Sequence, residues 1–166
     1  MATLKAQIGL VTVSFGPEPQ PAIIKYIGDI RIRFGGKTVE VNTEDYGGIA
    51  DIFRTSKYID ITGKLYYADL KAWFYASGFG GEVSQLQNEY SFGTDTVVLP
   101  EGKLILTTSL TDGTQVEITL DRVKVLPGEG DIPLSKDEVA SFPVIFRAVQ
   151  PDEGTSLGKV KFTPPE

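Results

Sequence analysis

The chain has 166 residues, of which 41% are hydrophobic, and this suits a single domain with a real core. It contains no cysteine and no histidine, which excludes disulfides, imidazole or thiolate zinc sites, and Ser-His-Asp or Cys-His catalysis. The net charge of −6 is opposite in sign to that of proteins that grip nucleic-acid phosphates. No apolar run approaches the length of a membrane span and the N-terminus lacks a signal-peptide layout. We therefore expect a soluble, non-enzymatic protein with no cofactor and no metal.

The N-terminal third predicts strands separated by rigid breaks. Residues 6–15 have the pattern of a strand, and the proline-rich residues 16–21 form an extended interruption. Residues 23–34 predict a second strand whose isoleucines and arginines alternate between two faces. A Gly-Gly turn then leads to a short return strand at 38–41.

Residues 42–57 fit neither the helical nor the strand period, so they predict a long loop. Loops of this length in compact domains are generally functional or bound to a partner. The loop is rich in apolar residues, which are sticky unless something covers them. These residues are Tyr46, Ile49, Ile52 and Phe53. Two interpretations stay open: a partner covers the loop, or it folds back on its own core as a short helical turn.

The next segment predicts a strand that continues without a turn into one short helix. Residues 58–65 alternate as a half-buried strand, and the period then changes to that of a helix at about 67–77. Gly78 stands where a glycine would end this helix. A helix this short needs a sheet to lie on. The residues expected to pack on the sheet are Leu70, Trp73 and Phe74, with Tyr75 pointing away.

The clearest hairpin joins residues 103–110 to 114–126 through Asp112-Gly113. A loss of phase near Asp121-Arg122 predicts a β-bulge. The residues that alternate out of the core form a smooth, mildly acidic face: Gln115, Glu117, Thr119 and Asp121. Such a face holds nucleic acid poorly and lets it slide past, although an ordinary solvated sheet face has the same composition.

The C-terminal part predicts a loop and two further strands. The loop at 127–138 ends in a capping-box pattern typical of a short helical turn. Residues 139–150 predict a strand in which Pro143 favours an edge position or a bulge, and residues 157–162 predict the last strand. The whole chain is thus expected to be one mainly β, sandwich or barrel-like domain over residues 1–166. Its ends are expected to be arms, the first a strand with a proline-rich segment at 1–22 and the second at 151–166.

No catalytic or metal-binding constellation stands out. The acidic pairs lie in predicted loops, where solvated carboxylates are the ordinary case. A carbohydrate- or ligand-binding sandwich is an alternative, with stacking on Tyr66, Tyr67, Trp73 and Tyr75. A carboxylate hydrolase using Asp60 or Glu117 is a more distant one.

The order of these elements resembles the tail tube (major tail) proteins of long-tailed bacteriophages. One shared piece is the long loop followed by a strand of the form x-I-x-I-T-G-x-L, at 58–65, which enters the helix. Another is the polar hairpin with Val123-Lys124-Val125, and the last is F-P-V-x-F-x-A from Phe142 to Ala148. The resemblance covers most of residues 23–150 as a pattern of elements.

The resemblance implies a structural virion protein. Subunits of that family form hexameric rings that stack into a tube for DNA ejection, so the implied partners are copies of itself, other tail proteins at the tube ends, and DNA in transit without specific binding. It implies the phage tail as location, with assembly in the host cytoplasm and no membrane. The implied ring-stacking residues are Glu44, Asp45, Tyr46, Gly47, Gly48, Ile49, Ile52 and Phe53. The polar face of the hairpin, through Gln115, Glu117, Thr119 and Asp121, is the implied lumen wall. A secretion-system tube, a tail terminator and a capsid-decorating protein are related alternatives.

Overall fold

The structure, a computed structural model, describes residues 11–17, 21–43, 48–66, 69–79, 83–84, 86–93, 99–151 and 156–166. These residues form β-strands and one α-helix, so the prediction of a mainly β fold with one short helix is confirmed. The strands are β1 (Thr12–Gly16), β2 (Ala22–Ile24), β3 (Ile27–Gly35), β4 (Thr38–Thr43), β5 (Gly48–Arg54), β6 (Tyr58–Leu65), β7 (Val83–Ser84), β8 (Glu89–Tyr90), β9 (Glu101–Ser109), β10 (Gln115–Pro127), β11 (Phe142–Ala148) and β12 (Gly158–Thr163), and the helix is α1 (Leu70–Ser77).

The main sheet is antiparallel and contains eight strands in the order β2-β1-β9-β10-β11-β6-β3, with β12 also paired to β10. The long strand β10 organises it, because β9 pairs along one of its edges while β12 and β11 share the other. The register of β9 and β10 shifts between Leu120 and Val123, where the pairing of β10 with β12 ends and its pairing with β11 begins. This confirms the predicted hairpin and its bulge.

The sheet is strongly curled around its core. Strands β1 and β11 are three positions apart in the sheet order, which would separate them by about 14 Å in a flat sheet. The rings of Phe15 on β1 and Phe146 on β11 nevertheless have centroids only 5.4 Å apart. One side of the sheet is therefore concave and holds the core, and the opposite side is here called the convex face.

Helix α1 covers the concave side. The Asp69 side chain caps its start by accepting the N–H of Ala72 at 2.8 Å. Gly78 ends it with φ 70° and ψ 6°, the left-handed conformation that glycine adopts without steric cost. Trp73 packs edge-on against Phe142, with ring centroids 5.0 Å apart. Within the described residues, no helix has the length and apolarity to cross a membrane.

The face of α1 that meets the sheet differs from the prediction. Ala72 is buried, and Tyr75 lies edge-on against Phe15 with ring centroids 5.8 Å apart, so the prediction that Tyr75 points away is wrong. Leu70 is only half-buried, and Phe74 is half-buried against Tyr90. The curl of the sheet brings β1 within reach of the helix, which the helical period alone does not reveal. Positions 67–68 of the predicted helix lie outside the described residues.

The environment of Tyr75 predicts an alkaline instability. Burial raises the pKa of its hydroxyl, and the carboxylate of Asp69 raises it further. Because the folded protein then favours the neutral phenol, stability falls as the pH rises above the ordinary tyrosine pKa of about 10. The free energy of unfolding is measured in urea at about pH 9 and at about pH 11. Between these two pH values it should fall less for the Tyr75→Phe variant than for the wild type. The exposed Tyr66→Phe is the control, and equal losses in the two variants would contradict this origin.

Two strand predictions need correction. The single strand at 23–34 is split into β2 and β3, because Tyr26 adopts φ 56° between them. Pro143 is not on an edge strand, since β11 pairs with both β10 and β6. It is tolerated because it is the second residue of β11, beyond the last β10 pair, and its carbonyl accepts the N–H of Gly128 at 2.9 Å. The capping-box segment near Ser135 forms a turn and no helix.

Candidate assembly surfaces

Strands β4 and β5 form a hairpin outside the main sheet. The loop predicted over 42–57 is therefore wrong for Gly48–Arg54, which pairs back on β4, as is the helical alternative for that stretch. The β4–β5 register shifts between Val41 and Asn42, and this irregularity breaks the alternation of apolar and polar residues. The strand β5 is therefore not recognisable from the sequence period. Among the predicted stacking residues, four belong to β5: Gly48, Ile49, Ile52 and Phe53. The other four, Glu44, Asp45, Tyr46 and Gly47, lie outside the described residues.

The β4–β5 hairpin carries apolar side chains on both of its faces. Val39 stands opposite Phe53, and alternation places Val41 on that same face. Ile52 stands opposite Glu40, so it lies on the other face, which it shares with Ile49. The exposed fractions of these five apolar residues run from 39% to 56%. Large apolar side chains are thus open to solvent on both sides of a two-stranded ribbon.

The two connecting segments at the base of the hairpin are bonded to each other. The N–H of Lys37 donates to Ser56 Oγ at 2.9 Å, and the N–H of Thr55 donates to the Lys37 carbonyl at 2.8 Å. A Cβ on Gly36 would overlap the carbonyl oxygen of Ser56, so glycine is required for this close approach. The hairpin therefore extends as a paired ribbon from the connections that follow β3 and precede β6.

One half of the convex face is polar and rich in hydroxyl groups. Glu117 on β10 stands between Thr107 of β9 and Lys161 of β12, and Gln115 stands between Ser109 and Thr163. Gln115 and Glu117 are exposed, as the sequence predicts. Because Lys161 lies beside Glu117, this half of the face is closer to neutral than the β10 sequence alone indicates.

Thr119 differs from the other three predicted outward residues. Thr119 is 3% exposed, because β9 and β12 flank it with Ile105 and Lys159. Its prediction as a solvent-facing residue is wrong. Asp121 is exposed and lies in the bulge, where its N–H donates to the Leu157 carbonyl at 3.3 Å.

The other half of the convex face is built around an ion pair. The Nε and Nη2 of Arg147 on β11 donate to the two carboxylate oxygens of Asp60 on β6, each at 2.8 Å. This bond raises the pKa of Arg147, whose guanidinium also lies 5.8 Å from the centre of the Tyr58 ring. Asp60 is only 7% exposed. The two residues are 87 positions apart in the chain, so no local sequence pattern predicts that they pair.

Two edge strands of the sheet, β3 and β12, carry exposed apolar residues. On β3, Ile32 and Phe34 are exposed, and on β12 Val160 and Phe162 are exposed. Val160 and Phe162 stand opposite Ile118 and Val116, on the side that elsewhere faces the core. In the part of the chain that the structure describes, β3 pairs only with β6, and β12 only with β10. Both edges are therefore apolar and open to further pairing.

The aromatic residues of the ligand-binding alternative do not form one platform. Trp73 packs on Phe142 and Tyr75 on Phe15, while Tyr66 is exposed and Tyr67 lies outside the described residues. A cavity of about 480 Å³ lies between α1 and the β1–β2 edge, with Tyr75 in its wall. It is lined mostly by apolar and aromatic residues.

The carboxylates of the hydrolase alternative are not brought together. Asp60 on β6 is held by Arg147 of β11, whereas Glu117 lies on β10 beside Lys161. Among the described residues, no group of three or more acidic side chains is arranged to hold a metal ion. No family model and no curated protein matches the chain.

Proposed function

We propose that this chain is a structural subunit that assembles with copies of itself into rings, which stack into a bacteriophage tail tube. The observation that carries the proposal is the β4–β5 hairpin, with exposed Val39 and Phe53 on one face and Ile49 and Ile52 on the other. A two-stranded ribbon is at best marginally stable in water on its own. Apolar surface of this kind is typical of an interaction site.

The two-sided exposure favours contact with more than one neighbour. Any flat surface of another molecule covers only one face of a ribbon, so the Phe53 face and the Ile52 face need separate partners. In a stack of rings, a projecting hairpin meets both the neighbouring copy and the next ring. The open edges of β3 and β12 fit the same arrangement, since ring closure uses edges that a monomer must protect.

The polar half of the convex face suits a conduit wall in this proposal. Its hydroxyl groups and its nearly balanced charge offer DNA few fixed phosphate contacts, and each such contact would slow DNA in transit. Lys161 lies beside Glu117 and balances its charge, whereas the sequence of β10 alone indicates an acidic wall.

Charge reversal on this wall should slow DNA without harming the tube. Glu117→Lys joins Lys159 and Lys161 in a continuous basic row, and Asp121→Lys extends it. Assembled tubes should keep their diameter while DNA release becomes slower and more salt-dependent. The control Glu117→Gln removes the charge without reversing it and should have a smaller effect. Unchanged release in the reversed variant would place the lumen on another surface.

Negative-stain microscopy of the purified protein tests the proposal. Open-ended tubes of constant diameter with a central channel are expected at high concentration. Single rings that do not stack would favour a tail terminator instead, and particles that form only on a capsid lattice would favour a decorating protein. A uniform field of particles of monomer size would contradict assembly of any kind.

A further inference from the structure

The half of the convex face formed by β3, β6, β11 and the end of β10 is basic, although the whole chain is acidic. Its exposed or half-exposed cations are Arg31, Arg33, Lys64, Lys124 and Arg147. Three carboxylates accompany them, Asp29, Asp60 and Glu101. We call these five cations the basic face.

The carboxylates do not neutralise the basic face. Both oxygens of Asp60 are taken by Arg147. Arg33 stands opposite Asp60 on β3, and among the described residues no carboxylate forms an ion pair with it. Asp29 is shared between Arg31 at 3.4 Å and Lys64 at 4.0 Å, and the Arg31 side chain is 79% exposed. The basic face therefore keeps unpaired positive charge directed at solvent.

A complementary acidic surface lies in the connection between β10 and β11. Four exposed carboxylates fall within residues 129–138, here called the acidic segment: Glu129, Asp131, Asp137 and Glu138. Lys136 is the one basic residue of this segment. Among the described residues, no cation lies within 4.0 Å of these four carboxylates.

The backbone of the acidic segment is anchored to the rest of the fold. The N–H of Gly128 donates to the Pro143 carbonyl at 2.9 Å, and Ile132 packs against the core. The hydroxyl of Ser135 accepts the N–H of Asp137 at 3.2 Å. An anchored loop loses little conformational entropy when it binds.

We infer that the basic face of one copy docks on the acidic segment of a second copy of this chain. The inference rests on the proposed assembly and names one of its interfaces. The apolar surface also matches, because Leu126 and Ile145 stand among the cations while the exposed Leu134 and Val139 flank the acidic charges. The two surfaces differ, so the contact is head-to-tail, the type that closes into rings or continues into filaments.

Charge reversal on the basic face tests this contact. The variant Arg31→Glu/Arg33→Glu should assemble at a rate at least about 10-fold below that of the wild type, because like charges then meet. Asp137→Lys/Glu138→Lys should fail in the same way. A 1:1 mixture of the two variants should assemble, because each now presents the complement of the other, and the chain that carries all four substitutions should also assemble. The matched control Lys25→Glu/Lys71→Glu changes the same number of charges elsewhere and should assemble normally.

The outcomes separate this inference from the proposed function. A wild type that stays monomeric overturns both. If the wild type assembles and the Arg31→Glu/Arg33→Glu variant assembles equally well by itself, this contact alone is overturned. A 1:1 mixture of the two variants that fails to restore assembly also overturns this contact alone. Circular dichroism of each variant checks its fold, and a wild-type assembly rate that is insensitive to NaCl would overturn the contact without any substitution. Binding of a labelled DNA duplex to wild-type monomers, lost in Arg31→Glu/Arg33→Glu, would assign the basic face to nucleic acid instead.

Discussion

Replacing Ile52 and Phe53 by serine is expected to leave the protein folded and to abolish its assembly. The two side chains lie on opposite faces of the hairpin and do not belong to the core cluster, so the fold does not depend on them. Burying the exposed half of each is worth about 1 kcal/mol, and this gain is repeated at every contact between copies. Size-exclusion chromatography with light scattering should show a species of 18.1 kDa at concentrations at which the wild type forms large particles.

Single substitutions sharpen this test. If the two faces meet different neighbours, Ile52→Ser and Phe53→Ser should each weaken assembly and should yield particles of different shape. The polar pair Glu40→Ser/Asn42→Ser lies on the same hairpin and is the matched control. If the double serine variant of Ile52 and Phe53 assembles as well as this control, the hairpin is not the contact.

Removing the cation of the Asp60–Arg147 ion pair, in which only the anion is buried, should destabilise the fold far more than removing the anion. Arg147→Met leaves the Asp60 carboxylate, 7% exposed, without its partner, and such a change costs about 3 kcal/mol. Asp60→Asn leaves a guanidinium whose side chain is 46% exposed and can turn to water, so it costs about 1 kcal/mol. Urea unfolding measures both values.

The double variant Arg147→Met/Asp60→Asn separates charge burial from packing. It should be more stable than Arg147→Met alone, because no uncompensated carboxylate remains. If the two single variants lose equal free energy and the double variant loses their sum, the pair is not the coupled unit described here.

Elements with local signals were predictable from the sequence. The Asp112-Gly113 turn fixes the β9–β10 hairpin, the loss of phase near Asp121 marks its bulge, and Gly78 ends α1. Each depends on neighbouring residues, whose conformational preferences act over a few positions.

Features made by distant contacts were not predictable. The bulge in the β4–β5 hairpin breaks the alternation that would have revealed β5, and the curl of the sheet turns Tyr75 inward onto Phe15. Thr119 is buried by two flanking strands, and the bond between Asp60 and Arg147 joins positions far apart in the chain. The sequence predicts that the apolar residues of 42–57 must be covered by a partner or by the core. Their distribution over two faces of a hairpin is visible only in the structure.

Hydrogen–deuterium exchange of the unmodified protein, dilute and concentrated, tests most directly whether copies of the chain cover the hairpin. In dilute solution, the amides of Thr38–Thr43 and Gly48–Arg54 should exchange quickly, because an isolated two-stranded ribbon opens easily. In concentrated solution these amides should become strongly protected, while the central strands β10 and β11 change little. Hairpin exchange that stays equally fast at every concentration would contradict the account.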